Sequence, residues 1–103
     1  MPYTREYLAQ EPSRADVDAT AGVVLVEFGA PDCGFCVAAQ PAIAQALDGR
    51  EVTHFKIEDG AGRALGRTFG VKLWPTLVVM RDGVELGRAV RPHKSHEIAA
   101  LFG

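Results

Sequence analysis

Residues 23–36 read VVLVEFGAPDCGFC, a nearly unbroken β-branched and apolar run followed at once by two cysteines with two residues between them. A run of this kind, Val23 to Phe28, suits a strand buried on both faces of a sheet. Downstream, Val37 to Leu47 is Ala-rich, with Ala39, Ile43 and Leu47 at i, i+4 spacing, which predicts a helix that Pro41 should bend. Val52 to Ile57 predicts a second strand, and the stretch between the two strands is long enough for a right-handed parallel crossover. The first half of the chain is thus expected to hold one βαβ unit.

Working outward, Arg63 to Phe69 predicts a short helix whose limits the surrounding glycines blur. Thr76 to Met80 and Val84 to Val90 read as strands joined through Asp82-Gly83, a strong hairpin signal that makes the pair antiparallel. Ser95 is the expected N-cap of a last helix with Ile98, Leu101 and Phe102 on one face. Ser13-Arg14-Ala15-Asp16 resembles a capping box, so a short helix is expected near residues 14 to 20. Residues 1–12 carry no pattern that assigns them. In order, these elements predict an α/β architecture: a mixed central sheet of four to five strands flanked by helices on both faces, with residues 1–103 forming a single domain.

Composition narrows the function. The chain has 103 residues, 48% hydrophobic and 23% charged, which is ordinary globular usage. A formal net charge of −2 leaves no basic surplus for nucleic acid or an anionic membrane surface. No apolar run approaches the ~20 residues of a membrane span, and MPYTREYLAQEP lacks the apolar stretch of a signal peptide, so a cytoplasmic location is expected. A monomer is the default.

Two cysteines are too few for a disulfide scaffold, so their spacing carries the meaning. The attacking species in disulfide exchange is a thiolate, and Cys33 falls where a buried strand ends and a helix begins, where unpaired N–H groups and the helix dipole favour an anion. Cys36, one turn deeper, is spaced to attack a mixed disulfide on Cys33. Two other readings compete. A zinc site needs two more ligands, and His93 and His96 are farther along the chain than the ~12 residues of a zinc finger. A structural Cys33–Cys36 disulfide closes too small a loop to remove much unfolded-state entropy. Redox chemistry is the stronger reading, and His54, His93 and His96 read most simply as surface or helix-end residues with no assigned role.

The segments VLVEFGAPDCGFCVAAQP and FGVKLWPT, with the RDG hairpin after them, resemble the thioredoxin family over residues 23 to 102. The resemblance implies a thioredoxin-like fold and a thiol–disulfide oxidoreductase that reduces protein disulfides. Cys33 would be the exposed nucleophile, Cys36 the buried resolving thiol and Pro75 a cis proline beside the pair; the plainer reading of Pro75 is a trans residue at a strand start. Trp74, Pro75 and Thr76 would then offer backbone to which an extended substrate could pair as an added strand. Glu27 matches the family's buried acid and Lys56 its lysine partner, making both candidates for proton handling at Cys36; the alternative for Glu27 is a solvated edge position.

Several positions depart from the family pattern. Asp32 replaces a tryptophan and sets a like charge beside the thiolate, while Phe35 replaces a proline between the cysteines. Trp74 is larger than usual: its ring either covers the patch that Asp32 leaves bare or packs in the core. Arg91 stands where a glycine is usual and should narrow the approach of a partner, so that a thioredoxin reductase is expected to dock poorly. The resemblance implies protein disulfides as substrates, a thioredoxin reductase or another dithiol donor as electron source, and no cofactor beyond the cysteine pair. Two other functions stay open: a binding module that uses the Trp74-Pro75 loop with incidental cysteines, and a disulfide isomerase or oxidant.

Overall fold

The computed structural model describes residues 2–103. The apolar run forms β1 (Val23–Gly29), with every residue after Val23 buried. It lies in the interior of a four-stranded sheet ordered β2-β1-β3-β4, with β2 at Thr53–Glu58, β3 at Thr76–Arg81 and β4 at Val84–Val90. β1 pairs parallel with β2 and antiparallel with β3, and β3 pairs antiparallel with β4, so the sheet is mixed. The hairpin turns at Asp82-Gly83, both at positive φ (49° and 83°), the backbone that a tight hairpin turn needs.

Helices cover both faces. Ahead of β1 runs α1 (Arg14–Ala19), where the Ser13 hydroxyl accepts the Asp16 N–H as the capping pattern predicts. Between β1 and β2 runs α2 (Gly34–Leu47), which continues through Pro41. It starts three residues before the predicted Val37, because Cys33 itself caps it: the Cys33 sulfur accepts the Cys36 N–H. The next helix, α3, is shorter than predicted (Leu65–Thr68), its end closed by glycine at Gly70 with φ 69°.

The last helix, α4 (Ser95–Ala99), runs into a 3₁₀ turn at Ala100–Phe102. Here the cap differs from the expectation. Lys94 rather than Ser95 takes the N-cap position, and Glu97 reaches back so that its Oε1 accepts the backbone N–H groups of His93 and Lys94. An acidic side chain in the first turn thus closes the chain just ahead of the helix, the Glu half of a capping box, while no serine hydroxyl among the described residues caps the turn itself.

The alternation of β1 divides the core. Val24, Val26 and Phe28 face Val17, Ile57, Leu65, Phe69, Val78 and Met80. Leu25 faces the other way, into Ala39, Ile43 and Leu47 of α2, Leu77, Val79 and Ile98. The second layer fixes α2 against the sheet, and with it the position of its first turn. Replacing the fully buried Ile43 by Ala is expected to cost about 2–5 kcal/mol, whereas Val84→Ala, at a site 63% exposed, should stay within about 0.5 kcal/mol; chemical denaturation of both variants measures the contrast.

Candidate active site

Gly29 ends β1, and the chain must cross to the head of α2 in a few residues. A Cβ on Gly29 would stand 2.7 Å from the Cys36 sulfur and 3.2 Å from the Tyr7 hydroxyl, so only glycine leaves room for the helix to approach here. The two cysteines are free, with Cys33 half-buried and Cys36 buried, and their sulfurs lie 2.6 Å apart. The Cys36 N–H, one of the unpaired donors of the first turn, points at the Cys33 sulfur at 3.2 Å. Burial, followed by the hydrogen bond to Cys33, pushes the Cys36 thiol up to about 12, with the charge of Glu27 adding to the shift and a hydrogen bond from the Ala30 backbone opposing it. Asp32 and Phe35 are exposed beside the pair.

Beneath the pair lies a buried polar layer. Glu27 is fully buried on the central strand, not at a solvated edge. Its Oε1 is 2.9 Å from His54 Nε2 and its Oε2 accepts from Gln40 Nε2 at 2.8 Å. The Thr4 N–H donates to His54 Nδ1, so the ring proton sits on Nε2 and is given to Glu27. Gln40 is the hub: its Nε2 also donates to the Cys36 carbonyl, and its Oε1 accepts from Lys56 Nζ and from the Tyr3 hydroxyl. Lys56 lies opposite Glu27 across the β1–β2 register, yet its ammonium donates to Gln40 and to the Arg5 carbonyl. The expected acid–lysine pairing is therefore indirect, bridged by an amide.

Two of these participants correct the reading of the sequence. His54 is a buried member of the layer, not a surface residue: it and Lys56 alternate along β2 on the face that Glu27 shares. Residues 1–12, unassigned from sequence, contain a strap that closes the layer from outside. Leu8 N–H donates to the Lys56 carbonyl, Tyr3 stacks on His54, and Tyr7 lies under the Lys56 ammonium. Burial, and then the charges of Cys36 and Glu27, hold the Tyr7 phenol well above its ordinary range.

Across the pair stands the loop before β3. The Trp74–Pro75 peptide is cis, and Pro75 is buried. Thr76 turns its hydroxyl back to the Leu73 carbonyl, closing the loop. Trp74 is half-buried, and its indole N–H donates to Asp59 just past β2, a tether anticipated neither by a covering ring nor by a core one. Arg91 spans the loop and the helix: its Nε donates to the Trp74 carbonyl at 2.8 Å and its guanidinium lies 4.1 Å from the centre of the Phe35 ring. No cluster of His, Cys, Asp or Glu among the described residues could hold a metal ion, and no helix is long and apolar enough to cross a membrane.

A mixed sheet flanked by helices, with free paired cysteines opening α2, defines the class: a thioredoxin-fold protein with a dithiol site. The model of the thioredoxin family matches residues 6–102, and the chain belongs to that family. It is 38% identical over 71 residues to a thioredoxin of Chlamydia muridarum, covering 68% of this chain and 70% of that one. It is 42% identical over 65 residues to human protein disulfide-isomerase A2, covering 58% of this chain but only 12% of that protein. Among solved structures, thioredoxin 2 of Pseudomonas aeruginosa in its reduced form superposes with a TM-score of 0.83 at 50% identity, covering 97% of this chain and 94% of that one.

Two measurements test this geometry. With its thiol near 12, Cys36 carries a thiolate fraction that grows about tenfold per pH unit through the alkaline range. Iodoacetamide at neutral pH is therefore expected to label Cys33 first, and in the unlabelled reduced pair the 13Cβ shift of Cys36, followed by NMR, is expected to move without a plateau from about pH 8 to about pH 11. Gln40→Ala removes the amide that joins Glu27, Cys36, Lys56 and Tyr3, and is expected to lower stability by about 1–3 kcal/mol, measured by denaturant titration.

Proposed function

We propose that this chain reduces protein disulfides by dithiol exchange, with Cys33 as nucleophile and Cys36 as resolving thiol. The observation that carries the reading is the asymmetry of the pair: one sulfur reaches solvent and meets a backbone N–H, while the other is buried 2.6 Å behind it. The Cys33 thiolate attacks one sulfur of a substrate disulfide, forming a mixed disulfide and releasing the other sulfur as a thiolate that takes up a proton. Cys36 then loses its proton and attacks the Cys33 sulfur, which releases the second substrate thiol and leaves a Cys33–Cys36 disulfide. Two electrons have passed to the substrate.

The second step needs a base, since a thiol near 12 does not ionise unaided at neutral pH. Part of that elevation comes from the hydrogen bond and charge of Cys33. Both vanish once the Cys33 sulfur is bonded to substrate, so Cys36 becomes more acidic at the moment it must react. Glu27, whose charge acts on Cys36 from the buried layer, is the group assigned to receive the proton, with Lys56 balancing it through Gln40. The Trp74-Pro75-Thr76 loop is assigned to the substrate backbone. A dithiol donor, whether a thioredoxin reductase or another, returns the pair to the reduced form in a reducing compartment such as the cytoplasm. The whole chain is read as one such unit, acting as a monomer.

The likeness to disulfide isomerases keeps the opposite direction of electron flow as a second reading. Insulin reduction in the presence of dithiothreitol distinguishes them from a mere binding role. The unaltered chain is expected to accelerate precipitation, Cys33→Ser to fall to the uncatalysed rate, and reduced Cys36→Ser, mixed with insulin after dithiothreitol has been removed, to accumulate a substrate adduct on Cys33 detectable by mass. Full activity in Cys33→Ser, or no adduct in Cys36→Ser, overturns the proposal.

A further inference from the structure

Arg91 follows β4 in a backbone conformation that side-chain-bearing residues rarely adopt, with φ 52°. Such a conformation persists only where surrounding contacts hold it. Three contacts do so: the Arg91 N–H donates to the Pro75 carbonyl at 2.8 Å, Nε donates to the Trp74 carbonyl at 2.8 Å, and the guanidinium rests on Phe35 at 4.1 Å. The cation is thereby fixed in place beside Phe35, one of the two residues that separate the cysteines.

Only Nε is engaged in hydrogen bonding. The terminal nitrogens have no partner among the described residues, and no carboxylate there pairs with Arg91. Glu97, the acid of the adjoining helix start, has its Oε1 on the N–H groups of His93 and Lys94. Arg91 also lines a groove of about 240 Å³ with Phe35, Ala38, Ala39, Pro92 and His93, and Phe35 is 53% exposed at its mouth. The groove therefore pairs an apolar floor with a cation whose planar fork of donors suits a carboxylate.

The Trp74 carbonyl has a second consequence for recognition. Because Arg91 Nε donates to it at 2.8 Å, one of its two lone pairs is engaged, and a substrate N–H that pairs here shares the acceptor with the guanidinium. A substrate segment that pairs with this loop is thereby brought beside the Arg91 side chain.

We infer that Arg91 is a specificity-determining residue that directs this site to disulfides in acidic, apolar sequence contexts: an apolar residue beside the substrate cysteine enters the groove, and a neighbouring Asp or Glu carboxylate engages the free edge of the guanidinium. The inference rests on the exchange reading above and names the substrate class for that site. Exposed Asp32, on the other side of Cys33 in the chain, repels the same carboxylate, so the preference is expected from one flank of the substrate cysteine only.

The test uses disulfide-linked peptides that share a leucine next to the cysteine and differ in one further residue, Glu, Gln or Lys, placed on either flank. Reduction is followed with dithiothreitol as recycling donor. From one flank, kcat/KM is expected to be about five-fold higher for the Glu peptide than for the Lys peptide, as a partly exposed charge pair gives, and the ratio should shrink at high salt. Arg91→Gln should bring it to about one, and Arg91→Lys should leave it intermediate. Each ratio is internal to one protein, so a general loss of activity in a variant does not mimic the effect, and the salt series on the unaltered chain decides even if a variant fails to fold. Equal rates for Glu and Lys peptides, or a ratio unmoved by salt or by Arg91→Gln, overturns the role of Arg91. Failure of the unaltered chain to reduce any of the peptides overturns the exchange reading instead.

Discussion

The Cys36 sulfur occupies the space into which any side chain at position 29 would project. That close approach requires a strand that ends in glycine and a helix pressed hard onto the sheet, and the packing of Ile43, Leu47 and Ala39 on Leu25, Leu77 and Val79 supplies the pressure. From it follow the burial of one thiol and the projection of the other past the helix start. The same few ångströms bring the head of α2 over the buried carboxylate of β1. The asymmetry of the dithiol is thus a property of how two core elements meet.

A charge in the middle of a sheet is costly unless its neighbours satisfy it. Glu27 is satisfied on both oxygens, and the groups that satisfy it are held in turn: His54 by a strap N–H, Gln40 by a lysine and a phenol. No buried side-chain nitrogen or oxygen among the described residues lacks a partner. A polar network that closes in this way specifies one arrangement, since each member's hydrogen-bonding capacity is matched only by the others. It also couples the N-terminal segment to the reactive pair, through Tyr7 near Cys36 and through Tyr3 on Gln40.

Much of this was legible in the sequence, and the reasons for the exceptions are physical. The run at 23–28, the Asp82-Gly83 turn and the Ser13 cap each encode their structure locally, so element order and the mixed sheet could be read from them. The cysteine spacing at the end of a buried strand pointed to the candidate site, and the structure brings both thiols to the head of α2. Gln40 was overlooked because a lone glutamine on a helix carries no pattern. His54 was misread because His54 and Lys56 alternate on β2 as a solvent face does, and only the covering strap turns that face inward. The strap itself holds on largely through backbone groups of Thr4, Arg5 and Leu8, which every residue possesses and no composition reveals. Arg91 was marked as an obstacle to partners; its engagement with Phe35 and the Trp74 carbonyl depends on a positive φ that its residue type does not suggest.

The bond from Leu8 to the Lys56 carbonyl bears on more than the polar layer. β2 is the outermost strand on its side of the sheet, with a row of main-chain donors and acceptors that an unrelated chain could template upon. By setting Leu8 N–H on the Lys56 carbonyl and the Thr4 hydroxyl on the His54 carbonyl, residues 4–8 occupy part of that margin, which leaves fewer of its main-chain acceptors open to another polypeptide.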